Sequence, residues 1–315
     1  MKSKHIYKSI ACGVLLALTA TSCDLDYNPV DSYSDVTEGV DKTDEKPIFN
    51  SVQDVETSMV TLHKKFRDQQ EHWYVDKLLI GDAHSDNAYA GTTGAEVVPY
   101  ETNSIEGSNS VLKRDWDRFL GDIAEANRII VGCEQLKALS DSERGKYQSQ
   151  AKIFRAMVMF DMVRLWGNFP VITTVGGDIT EDNVEEMYPT YFPPQNTAEE
   201  AYAQIEKDLT EAVENPNTPT NDASDKSILT KSVARAMLAK VYAEKPLRDY
   251  AKVIKYADEL AADGFDLVED FSDLWAYDTE KKDCRVRNTK EAILEAHFPP
   301  GSGNWCTWMF GRNLS

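Results

Sequence analysis

His63, His72, His84 and His297 are the first residues to try as metal ligands or proton carriers. No two of them stand in the His-x-x-x-His or His-Glu-x-x-His spacing that would place both imidazoles on one helix face. No cysteine or histidine pair has zinc-ligand spacing, there is no Gly-x-Ser-x-Gly elbow, and no Gly-rich phosphate loop follows a strand. Acidic neighbours such as Glu185 and Glu186 suggest a pair of glycosidase carboxylates. That chemistry needs two acids across a cleft, one with a raised pKa, and among 53 Asp and Glu such neighbours arise by chance. Catalytic residues, metal and cofactor are therefore all expected to be none.

What the residue types do offer is stacking and planar hydrogen bonding. A flat aromatic face can cover the C–H face of a sugar, while amides and carboxylates bind its hydroxyls. The stretch from Gly81 to Asn109 carries Asp82, Asp86, Asn87, Tyr89 and Tyr100, with Trp73 and Tyr74 just upstream. Trp275 with Tyr277 forms a second cluster, and Trp305 with Trp308 a third. The candidate ligand contacts are Trp73, Tyr74, Asp86, Asn87, Tyr89, Tyr100, Trp275 and Tyr277. The same residues have a plainer use, because Asp and Asn build turns and aromatics cover core edges.

The elements that must position them are mostly helical. Val52, Val55, Met59, Leu62 and Phe66 recur at helical spacing, predicting a helix from about Ser51. Residues Gly81 to Asn109 are rich in Gly, Ser, Thr and Asn and read as a long loop, a length usually kept for function or disorder. Trp116, Phe119, Leu120, Ile123, Ala126, Ile129 and Ile130 make one apolar stripe from near Ser110. A second long helix runs from about Ser142 to Trp166. It is apolar on nearly all sides from Ile153 to Phe160, as the middle of a helical stack requires. Gly167 ends it and Pro170 forbids continuation.

Thr197 with Glu200 has capping-box spacing. Helices at about Thr230–Ala243 and Asp249–Ala262 form a pair. Leu238, Ala239 and Tyr242, then Tyr250, Val253, Ala257 and Leu260, fit a tetratricopeptide-like register. Glu291 to Phe298 is the main strand candidate. The fold class is mostly α: a tetratricopeptide-like helical-repeat scaffold with long irregular loops and few short strands.

The N-terminus describes an export leader. Lys2, Lys4 and Lys8 precede an apolar run from Ile10 to Ala20, shorter than the roughly 20 residues a membrane span needs. Ala20-Thr21-Ser22-Cys23 resembles the lipobox of bacterial lipoproteins, which implies cleavage before Cys23 and lipid on its sulfur. The domains are then a signal peptide over 1–22, a lipidated tether over 23–50 and a helical domain over 51–315. The formal charge of −19 becomes more negative once the leader lysines are lost. So acidic a surface opposes nucleic acid and anionic headgroups, leaving the lipid as the route to a membrane. Of the remaining cysteines, Cys133, Cys284 and Cys306, an oxidising compartment would permit a Cys284–Cys306 bridge.

Several phrases, in order along the chain, resemble the SusD/RagB family of nutrient-uptake lipoproteins. They are Ala151 to Ala156 followed by Phe160 to Val171, with its Gly167-x-x-Pro170 turn, and the preceding helix from Trp116 to Asn127. Ser232 to Ala257, Asn288 to Glu295 and the acidic start from Cys23 to Pro29 complete the set. The resemblance implies a scaffold whose loops bind nutrient, an oligosaccharide or less often a peptide. It also implies a partner, a SusC-like TonB-dependent outer-membrane receptor, and a lipid-anchored place on the cell surface. Family members generally continue past Ser315, so the chain is expected to be C-terminally incomplete. A helical-repeat interaction protein without a small ligand and a surface glycosidase remain the alternatives.

Overall fold

A computed structural model describes residues 47–85, 87–89, 96–177 and 184–298. Contacts divide the chain into residues 1–46 and 47–315, and all that follows concerns the second unit. The leader, Cys23, Asp86, Trp305, Cys306 and Trp308 lie outside the described residues.

Helix α1 spans Val52–Asp68. Its start is fixed by Ser51, whose hydroxyl accepts from the Asp54 amide at 3.3 Å while the Asp54 carboxylate accepts from the Ser51 amide at 3.0 Å. Val55, Met59 and Leu62 are buried, as their spacing predicts. A short α2, Asp76–Leu78, follows between two widened π turns, Glu71–Val75 and Leu79–Ala83. The expected loop thus begins inside a distorted helix, and it holds one further helical turn, α3, Val98–Glu101.

Helix α4, Ser110–Gln135, is capped by Asn109, whose side-chain oxygen accepts from the amides of Val111 and Leu112. Helix α5, Asp141–Trp166, starts at a capping box of Ser140 and Glu143 and ends at Gly167, whose φ of 73° suits a residue without Cβ. Its central run from Ile153 to Phe160 is buried on nearly every side, Met157 alone being partly exposed. Helix α5 packs between α4 and α7, Ala198–Glu214, which begins at the expected Thr197–Glu200 box. Helix α6, Val184–Tyr191, is exposed. Helices α8, Lys231–Ala243, and α9, Tyr250–Ala262, form the expected pair, with α8 also against α7.

One polar network crosses this apolar stack. Arg155 donates from Nε and Nη2 to both Asp208 oxygens at 2.8 and 2.7 Å, and from Nη1 to Asn127 Oδ1 at 2.7 Å. Asn127 in turn donates to the carbonyls of Ile172 and Thr174. Three helices and the chain beyond Gly167 are joined through side chains that are almost wholly buried. Glycine matters where α4 meets the entering strand of chain, because a Cβ on Gly132 would overlap the Phe49 ring.

Two expectations are corrected. In α9 the inward line is Val253, Tyr256 and Leu260, and Tyr256 stacks on Tyr242 with ring centroids 6.1 Å apart. Tyr250 and Ala257 face outward, since 3.6-residue spacing admits either line and packing against α8 selects one. Residues 291–298 form no strand. They run irregularly, the Glu295 amide donating to the Lys226 carbonyl at 2.8 Å. The strands among the described residues are β1, Tyr277–Asp278, and β2, Asp283–Cys284, paired antiparallel with Tyr277 opposite Cys284. No described helix is long and apolar enough to cross a membrane.

Candidate functional site

The first group of candidate residues divides between core and surface. Trp73 is 3% exposed. Its Nε1 donates to Asp122 Oδ2 at 3.0 Å, and its ring meets Phe66 edge to face at 5.1 Å. Asp122 also holds His72 at 2.9 Å and Lys65 at 3.2 Å, so the tryptophan is locked into a buried polar hub. Tyr74 spends its hydroxyl on the Phe66 carbonyl at 2.8 Å. Tyr100 is 1% exposed. The expectation that Trp73 and Tyr100 meet ligand is therefore corrected, because neither ring offers a free face. Tyr74 is half-buried against the same core.

Asn87 and Tyr89 behave differently. The Asn87 side chain is exposed, while the Asn87 backbone N–H donates to the Asp82 carbonyl at 2.9 Å, which fixes the turn after the π turn Leu79–Ala83. Tyr89 is 71% exposed. An open phenol ring and an exposed planar amide thus stand two residues apart in sequence. Asp86, between Ser85 and Asn87 in sequence, is outside the described residues.

The second cluster sits on a small module after α9. Asp270 caps the 3-10 turn Phe271–Leu274 by accepting from the Ser272 amide at 2.9 Å. The Arg285 amide donates to the Ala276 carbonyl at 2.8 Å, and its guanidinium pairs with Asp273, bracing the turn against β2. The β1–β2 connection is held by Asp278 Oδ1, which accepts from the amides of Glu280 and Lys281. On this frame Trp275 is 76% and Tyr277 62% exposed.

Phe271, missed in the sequence, joins Trp275 at a ring distance of 6.4 Å. Its place four residues before Trp275 was the available signal. Tyr188 and Phe192, also missed, bring exposed rings to 4.8 Å at the same spacing at the end of α6. Beside the second cluster lies a cavity of about 310 Å³ lined by Leu274, Val286, Arg287, Thr289, Glu291 and His297. Apolar faces next to a polar-walled recess can stack on a ring and hydrogen-bond its substituents.

Asp115, a carboxyl raised well above its ordinary value, is buried against Asp76 and out of reach of any ligand. Glu185 and Glu186 are exposed side by side on α6. Among the described residues no group of His, Cys, Asp and Glu is arranged to hold a metal. Burial pushes the Cys133 thiol up to about 12, which makes it inert.

Residues 31–243 match a SusD-like family described as starch-binding, associating with outer membrane. The chain belongs to the SusD-like family. A SusD-like protein of Bacteroides ovatus is 25% identical over 318 residues, covering 97% of this chain and 51% of that protein. In fold the chain is similar to surface glycan-binding protein A from Bacteroides fluxus, with a TM-score of 0.63 and 20% identity over 81% of this chain and 52% of that one. It is also similar to surface glycan-binding protein A from Bacteroides thetaiotaomicron in complex with laminarihexaose, with a TM-score of 0.56 and 16% identity over 71% and 46%. The SusD-like chain thus spans about half the length of the relatives it matches.

Proposed function

We propose that this SusD-like protein is a cell-surface lipoprotein, anchored through lipid on Cys23, that captures an oligosaccharide and passes it unchanged to a SusC-like TonB-dependent outer-membrane transporter. The observation that carries the binding reading is the set of wide-open aromatic faces, Tyr89, Trp275 and Tyr277, held on braced turns in a chain of a family described as starch-binding. An exposed tryptophan costs solubility, and ligand stacking is a reason to keep it so. A relative of the same fold is known in complex with laminarihexaose, a neutral glucan. A neutral ligand also suits the acidic surface, which would oppose an anionic one.

The proposed contacts are Asn87 and Tyr89, with Asp86 beside them in sequence, and Trp275 with Tyr277. Asn87 and Asp86 supply planar hydrogen-bonding groups, and the rings supply stacking. Nothing in this arrangement activates water, which supports a binder over a glycosidase. Affinity of roughly −4 to −8 kcal/mol, millimolar to micromolar, suits a protein that must release its cargo.

The test is calorimetry of the acyl-free protein with starch, laminarin and xyloglucan oligosaccharides, followed by sugar analysis of the mixture. Binding with the oligosaccharide recovered intact is expected. Binding to no glycan, or shortening of the glycan, would overturn the reading.

A further inference from the structure

The β1–β2 ribbon joins the open rings to the polar recess beside them. Tyr277 lies directly opposite Cys284 in the antiparallel pair, and side chains directly opposite each other share one face of a sheet. Cys284 lines the recess, so the exposed Tyr277 ring rises from the recess side of the ribbon. Leu274, the residue before Trp275, lines the recess as well. Rings and recess form one continuous surface.

Bonds within the chain hold the walls in place. The Asn288 side chain accepts from the Lys226 amide at 3.0 Å and donates to the Ser224 carbonyl at 2.6 Å. The Glu295 amide donates to the Lys226 carbonyl at 2.8 Å. Both ends of the wall segment are thereby moored to the loop before α8. Arg287 pairs with Asp283 and donates to the Phe298 carbonyl at 3.0 Å. Glu291 accepts from the Val268 amide at 3.1 Å, and Glu295 pairs with His297 at 2.8 Å. Walls braced in this way are formed before a ligand arrives, which lowers the ordering cost of binding.

The same bonds select the ligand. Arg287, Glu291 and Glu295 each already have a partner in the chain, so the walls present no bare charge to an ion. Thr289 differs: its hydroxyl is shielded from solvent and has no hydrogen-bond partner, an unmet demand that a ligand hydroxyl can satisfy. Val286, Ala292 and Ala296 add apolar wall. Paired polar groups beside small apolar side chains suit the mixed C–H and O–H surface of a neutral sugar. A volume of about 310 Å³ is at the lower end of the roughly 300–1,000 Å³ of ligand pockets, room for one small unit and not for a chain.

We propose that the recess is a sugar subsite, taking one ring of a neutral oligosaccharide while a neighbouring ring of the same chain stacks on Tyr277. The proposal rests on reading Trp275 and Tyr277 as ligand contacts. The aromatic faces supply affinity for a glycan of any kind, and the recess with its Thr289 hydroxyl supplies preference among them.

The experiment is calorimetry with laminarihexaose and with maltohexaose on wild type, Ala296→Leu, Thr289→Val, and Trp275→Ala with Tyr277→Ala, the melting midpoint of each protein being recorded. Ala296→Leu fills the recess and leaves the rings; Thr289→Val keeps the shape of the wall and removes the hydroxyl. For the hexaose that wild type binds, Ala296→Leu should weaken binding roughly tenfold or more, and Thr289→Val roughly fivefold, the worth of one hydrogen bond. Neither should lower the melting midpoint. If Ala296→Leu fails to fold, Thr289→Val decides. Wild-type affinity in both recess variants, with weakened binding in the ring variant, would overturn the subsite and leave the stacking site standing. Binding of neither hexaose by wild type would overturn both.

Discussion

Removing Asp208 should be among the most damaging single changes outside the apolar core. Its two oxygens accept both hydrogen bonds of a parallel fork from Arg155 at 2.8 and 2.7 Å, and one also accepts from Gln204 at 2.9 Å. In Asp208→Ala the guanidinium keeps only its bond to Asn127 and is left charged in the interior, where breaking a buried pair costs about 3–5 kcal/mol. Counting two lost charge-assisted bonds at about 1.5–3 kcal/mol each gives about 3–6 kcal/mol, which overlaps that range. Against a total stability of about 5–15 kcal/mol, that loss approaches unfolding for a marginal domain. The assay is urea denaturation followed by far-UV circular dichroism. The double variant Arg155→Met, Asp208→Leu is the control, because exchanging a whole buried pair for apolar groups is often neutral. A single variant that loses under about 1 kcal/mol at unchanged m, or a double variant as damaged as the single, would refute the reasoning.

Gly132→Ala must displace the Phe49 ring and should cost about 1–3 kcal/mol in the same melt. Ala239→Trp should cost a similar amount, because Ala239 is half-buried against the core; no change would mean that this position is open to solvent. Burial first, then the Asp76 charge, raise the Asp115 carboxyl above its ordinary value, so its contribution to stability is complete below the ordinary carboxylate value and is lost as pH rises through the raised one. Asp115→Asn should therefore flatten the fall in urea midpoint expected of wild type as pH rises from the ordinary carboxylate range to the raised one. Cys23→Ala should release the protein from membranes on fractionation, and full retention would remove the proposed anchor.

The helices were legible where local chemistry is redundant. Thr197 and Glu200 form the box their spacing announces, and Gly167 with Pro170 stops the central helix as expected. Arg155, which looks out of place inside an apolar run, is explained only by Asp208, 53 residues away. Sequence was silent there, because pairing of distant charges leaves no periodicity. It also left Tyr250 and Tyr256 equivalent, although only Tyr256 turns inward. At the candidate site, residue type announced aromatics but not their burial. Trp73 and Tyr89 looked alike on the page, and Asp122 draws the first inward while the second stays in solvent. The π turns around Asp76 escaped notice because they keep an almost helical pattern while changing its register.

The central claim is glycan capture by open aromatic faces. Isothermal calorimetry with laminarihexaose and a maltohexaose control tests it on four proteins: wild type, Tyr89→Ala, Trp275→Ala with Tyr277→Ala, and Tyr188→Ala. Replacing a stacking ring should weaken binding by roughly tenfold or more, about 1.4 kcal/mol, while Tyr188→Ala should leave it unchanged. Equal affinity in all four proteins for a glycan that wild type binds would contradict the account.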